Sequence, residues 1–164
     1  MLTARRGLAT AIDYAAMAAP LGALAAIVLV RRRLRPGSAL PDVSPAKARV
    51  LVGVGLTMPL SAALAATEAA GGSPGKRALG FTVRDDSDPR PPTFPQALVR
   101  TLAKTALPWE LGHQAVWEFR ADNTRRGAVL AAGAYLAIGL QAAAILRNRR
   151  TYADHVAQTR VEQA

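Results

Sequence analysis

The sequence predicts an all-α membrane protein: a small bundle of three clear transmembrane helices and a fourth amphipathic or membrane-embedded helical segment. Hydrophobic residues make up 51% of 164 positions, yet aromatics only 5%, so Ala, Leu and Val carry the apolar content. A water-soluble core so poor in large side chains would bury little surface. The apolar residues also gather into long stretches separated by segments dense in Arg, Pro and Asp, the pattern of membrane spans. A chain of this length allows one domain, so residues 1–164 are read as a single unit.

The first span is expected at about residues 7–30, with Asp13 as its one charge. Asp13 interrupts a stretch that would be purely apolar in a cleaved signal peptide, and Arg31-Arg32-Arg33 resembles a stop-transfer flank. After a loop carrying Pro36, Pro41 and Pro45, the second span is expected at about 50–68, bent at Pro59 because proline removes a helical hydrogen bond. Gly71-Gly72-Ser73-Pro74-Gly75 ends it.

Residues 71–95 read as a polar loop with a short extended piece at 78–83. Residues 96–119 are helical by pattern but carry Arg100, Lys104, Glu110, His113 and Glu118, which are expensive on a lipid-facing span. Two readings stay open: the segment lies in the interface, or it crosses only partly while packed against the other helices. The last span, about 127–146, holds no charge, and its Gly133/Ala137 and Gly139/Ala143 pairs allow close packing. The tail, 151–164, is polar and is expected to lie at the interface or in part without fixed structure.

A net charge of +10 raises nucleic acid as a partner, but the basic residues sit in short runs at the span ends, where they meet lipid head groups. The bilayer is therefore the expected partner, and nucleic acid is not. Without Cys, thiolate metal sites are excluded. Ser73-Pro74-Gly75-Lys76-Arg77 fails as a phosphate loop, because Ala70 stands where the first Gly belongs and Arg77 where Ser or Thr would hold magnesium. Glu110 and His113 fall one turn apart but do not make a metal site, and packing beside Trp109 and Trp117 is the expected role of His113. No catalytic arrangement stands out, so neither enzymatic activity nor a cofactor is expected.

One constellation remains. Arg6 and Asp13 lie two helical turns apart on one face, and Asp154 follows the last span. A carboxylate at a membrane edge is costly unless solvated or paired, so contact with Arg is one reading and separate solvation the other.

The order Arg6, Asp13, then Gly75-Lys76-Arg77-Ala78-Leu79-Gly80, then Ala97-Leu98-Val99-Arg100, then Asp154 with Thr159-Arg160, resembles the RDD family of bacterial membrane proteins. The family's Arg and two Asp correspond to Arg6, Asp13 and Asp154; the literal Arg84-Asp85-Asp86 is coincidence. Members usually show Thr where Ser73 stands, and a His-Asp with a Gly-Thr pair where this chain has Asp154-His155 and Gln158-Thr159. The resemblance implies a polar cluster of Arg6, Asp13 and Asp154, the loop motif Gly75, Lys76, Arg77 and Gly80, and supporting roles for Arg100 and Thr159.

It also implies a multi-pass protein of the bacterial inner membrane. Two functions stay open: a small transporter or transport subunit for cations, protons or a small solute, with Asp13 as the protonatable group, or a non-catalytic accessory or scaffold protein binding a partner membrane complex. A chain this small would form a pathway only as a homo-oligomer or with partner proteins. If the Asp13 and Asp154 ends share a face, the number of crossings is even, residues 96–119 cross or occupy the bundle, and both termini are expected in the cytoplasm.

Overall fold

The computed structural model describes residues 2–35 and 43–164; the loop expected around Pro36 and Pro41 lies outside them. Four long helices carry the architecture. Helix α1 is Leu2–Leu34, α2 is Pro45–Ala69, α4 covers residues 94–120 and α5 is Thr124–Leu146. Between α2 and α4 lie a short helix, α3 (Pro74–Ala78), and strand β1 (Phe81–Asp85). After α5 come α6 (Tyr152–Val156) and β2 (Thr159–Gln163). Helices α1, α2 and α5 are long and apolar enough to cross a membrane, with mean hydropathy 1.8, 1.8 and 2.0.

Local chemistry sets the boundaries. Ser44 caps α2, its hydroxyl accepting from the Lys47 amide, with Pro45 in the first turn where a missing N–H does no harm. A reciprocal Thr93 and Gln96 pair opens α4, and Thr151 with Asp154 opens α6 in the same way. Arg31, Arg32 and Arg33 close α1 at its negative dipole end.

Three long helices contain an internal proline, and two of them, α2 and α4, widen ahead of it, whereas α1 runs through Pro20 as α-helix. In α2 the π-helical turn Gly53–Thr57 precedes Pro59, and in α4 the turn Leu102–Ala106 precedes Pro108. Widening moves the chain off the clash that proline makes with the preceding turn. The bend expected at Pro59 therefore takes the form of a wide turn one step upstream.

In α4 the wide turn also frees carbonyls. The Leu107 amide reaches back to the Leu102 oxygen, and Pro108 has no N–H, so the oxygens of Ala103 and Lys104 lose their helical donors. Side chains from other elements replace them. Tyr152 donates to Ala103 O at 2.7 Å, while Tyr14 and Gln141 each donate to Lys104 O at 2.8 Å. Carbonyls freed in this way are served by side chains of three other elements, so α4 belongs inside the bundle. Its packing agrees: α4 lies between α2 and α5, and α5 also meets α1.

The expected small-residue pairs of α5 divide. Gly133 faces Leu111 and Ala137 is buried, whereas a side chain at Gly139 would meet nothing. Gly127 is the closest approach, since a Cβ there would stand 2.8 Å from the Phe119 ring.

The polar tail differs from expectation. It folds into α6 and β2, and β2 pairs antiparallel with β1 from Phe81 opposite Gln163 to Asp85 opposite Thr159. The extended piece expected at residues 78–83 is shifted onward, because Ala78 still belongs to α3 and Gly80, at φ +67°, makes the turn into β1. A lone strand has unpaired backbone groups, so neither half of this ribbon is stable without the other.

Candidate functional site

Five elements bring ionised side chains together at the end of the bundle where α1 starts, α2 ends, α4 starts and α5 ends. Asp13 lies on α1, Glu68 at the end of α2, Lys76 on α3, Arg100 and Lys104 on α4, and Asp154 on α6. All six are at most 5% exposed. Three carboxylates therefore face three cations out of water, and their geometry decides whether burial is tolerable.

Asp13 accepts from the Ser73 hydroxyl at 2.6 Å and the Gly75 amide at 3.0 Å, with Lys76 Nζ at 3.5 Å and Lys104 Nζ at 3.4 Å. The amide reaches it because Gly75 packs against α1; a Cβ there would run into the Ala9 carbonyl oxygen. Lys76 Nζ also donates to Glu68 Oε1 at 2.5 Å and Ser73 Oγ at 2.9 Å. The same Glu68 oxygen takes Arg100 NH1 at 2.5 Å.

Arg100 then turns its Nε and NH2 onto Asp154 Oδ1 at 2.8 and 2.6 Å. The second oxygen of Asp154 accepts from the Thr151 amide and hydroxyl at 2.8 and 2.9 Å. Burial works against ionisation of Asp154, but the Arg100 guanidinium and the Thr151 donors outweigh it and hold the carboxyl below its ordinary value. The result is one continuous chain of contacts, Asp13 to Lys76 to Glu68 to Arg100 to Asp154, that joins α1, α3, α2, α4 and α6.

Arg6 is not a link in that chain. Its guanidinium donates to Asn148 Oδ1 at 3.0 Å and to the Arg149 carbonyl at 3.4 Å, tying α1 to the turn after α5. The arginine that pairs with Asp154 is Arg100, and Arg6, Asp13 and Asp154 meet only through intermediates. Arg6 nevertheless lines a small cavity together with Lys76, Lys104 and Thr151.

The loop motif has distinct structural roles. Arg77 donates to the Thr67 and Ala70 carbonyls at 3.0 and 3.2 Å and so closes the end of α2. The carbonyl of Gly80 accepts from the Ala164 amide at the end of the ribbon. Thr159 is fully buried where β2 begins, and its hydroxyl has no partner among the described residues.

Glu68 and Lys104 are central here, although the sequence marked Lys104 only as an expensive charge and did not single out Glu68. The available signal was balance: segments rich in buried cations need carboxylates at the same depth, and Glu68 is the one acid at the end of the second span.

The opposite end holds a second, smaller cluster. Arg49 NH1 meets Glu118 at 2.9 Å, and Asn123 donates to the other Glu118 oxygen at 3.0 Å. Between the two ends, Thr57 donates to Glu110. His113 accepts from Trp117 Nε1 at 3.0 Å. Among the described residues, no group of three or more His, Cys, Asp or Glu could hold a metal ion.

An ion-pair network sealed at one end of a bundle of long apolar helices defines a helical membrane protein. The RDD family model matches residues 2–158, nearly the whole chain, and the chain belongs to the RDD family. No curated protein and no solved structure matches it.

Proposed function

We propose that the chain crosses a bacterial inner membrane four times, with both termini cytoplasmic, and serves as a non-catalytic accessory or scaffold protein for a partner membrane complex. The observation that carries this reading is the saturation of the two aspartates. Asp13 and Asp154 each receive four contacts from donors or ammonium groups. With Lys76 and Lys104 beside it, Asp13 offers a cation neither a vacant oxygen nor a favourable field. A network of this kind fixes helix register instead. The two polar ends support four crossings: α2 begins where α4 ends, at Arg49 and Glu118, and ends where α4 begins, at Glu68 and Arg100.

The transport reading is favoured by one feature. Glu68 Oε2 is buried without a partner among the described residues, and such an oxygen is a natural proton acceptor. The two readings separate in proteoliposomes with an internal pH-sensitive dye and imposed sodium, potassium or proton gradients. The scaffold reading expects no flux above protein-free vesicles, whereas flux that disappears in Glu68→Gln would establish transport. Photo-crosslinkers at Leu24 and Ile27, both exposed on α1, test the partner. A discrete adduct in native membranes supports the scaffold, one of twice the chain's mass makes it a homo-oligomer, and lipid adducts alone would overturn partner binding through α1.

A further inference from the structure

Charge balance at the site changes once Arg6 is counted. The buried network sums to zero, three cations against three carboxylates. Arg6, half-buried and hydrogen-bonded among the described residues only to the neutral Asn148 and a carbonyl, adds one positive charge with no carboxylate of its own there. An uncompensated charge beside a buried cluster is costly, and neutralising it is favourable in proportion to the loss of water.

The excess sits around a space. A cavity of about 20 Å³ lies where α1, α3, α4 and the ribbon converge, and Arg6, Thr10, Lys76, Phe81, Lys104 and Thr151 are among its lining residues. Of its nine lining residues three are cations and none is an acid, while Ala9, Phe81, Ile145 and Val161 form an apolar wall. Lys104 is the telling member. It is 5% exposed, and the one contact of its ammonium among the described residues is Asp13 at 3.4 Å, so two of its three donors have no protein partner. Lys76, by contrast, has all three of its donors occupied.

We propose that this cavity is a binding site for a small monovalent inorganic anion of halide size. The volume accommodates one particle about the size of a water molecule and excludes a phosphate or a lipid head group. An anion there brings the count to four negative against four positive and lies against Lys104, which has donors to spare. Arg6 acquires a role that its contacts alone do not give it, as the cation that completes an anion site. The inference does not depend on whether the protein transports or scaffolds, since a bound halide completes the network in both.

The test uses the purified full chain in detergent, with chloride, bromide or gluconate as the sole anion at constant ionic strength. Chloride and bromide should raise the thermal midpoint in a saturable manner by roughly 2–4 °C, while gluconate, too large for the cavity, should not. Line broadening of the ³⁵Cl resonance, reversed by bromide, should report the same site directly. Arg6→Gln, a half-buried position outside the ion-pair chain, should fold and lose both effects. Lys104→Gln should lose them too, and the NMR measurement serves if that variant is too unstable to melt cleanly. Equal midpoints in all salts without broadening would mean that only water fills the cavity. Anion effects that persist in both variants would place the anion on surface arginines. Either result overturns the proposal.

Discussion

The hydroxyl of Tyr14 donates to the carbonyl oxygen of Lys104 at 2.8 Å, across two helices, and that oxygen is free because Pro108 has no N–H to give it. Tyr14→Phe should therefore destabilise the protein by about 1 kcal/mol, less than a sole donor would, because Gln141 still serves the same oxygen. Pro108→Ala restores a helical donor, and in that background the Tyr14→Phe effect should shrink toward zero. A double-mutant cycle on unfolding midpoints measures the coupling; an unchanged Tyr14→Phe cost in both backgrounds would refute the account.

Arg100 holds Glu68 and Asp154 together, so removing it strands two buried carboxylates. Arg100→Gln should cost about 3–5 kcal/mol and depress the yield of folded protein. Arg100→Lys should recover little of this, because an ammonium cannot address both partners with the guanidinium's spread of donors. The triple replacement of Arg100, Glu68 and Asp154 by Met, Gln and Asn should be milder than Arg100→Gln alone. Thermal unfolding of the purified variants ranks them, and a Lys variant equal to wild type would show that the fork geometry is unimportant.

Acid should loosen the tail. The carboxyl of Asp154 is held below its ordinary value of 3.8, so folding favours its ionised form. That contribution is fully present above the unfolded value and is lost as pH falls below about 3.8 toward the lower folded value. Between pH 5 and pH 3 the wild-type midpoint should drop more steeply than that of Asp154→Asn. Parallel slopes would remove Asp154 from the explanation. Asp85, on the ribbon outside the ion-pair network and lowered to about 2 by hydrogen bonds from Ser87 and Gln96, is the control position in the same range.

Topology is open to direct labelling, since the native chain has no Cys. Single Cys at Thr3, Ser87, Asn123 and Gln163 should divide three to one. An impermeant maleimide in intact cells is expected to label Asn123 alone, because Thr3, Ser87 and Gln163 lie at the end that carries the ion-pair network. Opposite labelling of Thr3 and Gln163 would rule out the network within a single subunit.

Composition and spacing alone determined the membrane class, the three apolar spans and the presence of something expensive at Asp13 and Asp154. Those are properties of single segments: twenty or so apolar residues declare a span wherever they fall, and a charge within one demands a partner. The partner's identity is not local. Arg6 and Asp13 share a helix face, which suggested a pairing, yet Arg6 reaches Asn148 while Asp154 takes Arg100. Residues 96–119 were ambiguous because their charges are read against lipid until the neighbouring helices are in place. Only the tertiary structure supplied Glu68 for Arg100, Asp13 for Lys104, and the Tyr14, Gln141 and Tyr152 donors for the carbonyls ahead of Pro108. The tail was likewise undetermined by its own residues, since β2 exists only through its ladder to β1 some 80 positions earlier. Burial of charge depends on energies of pairing between distant segments, and the fold alone brings those segments to the same depth.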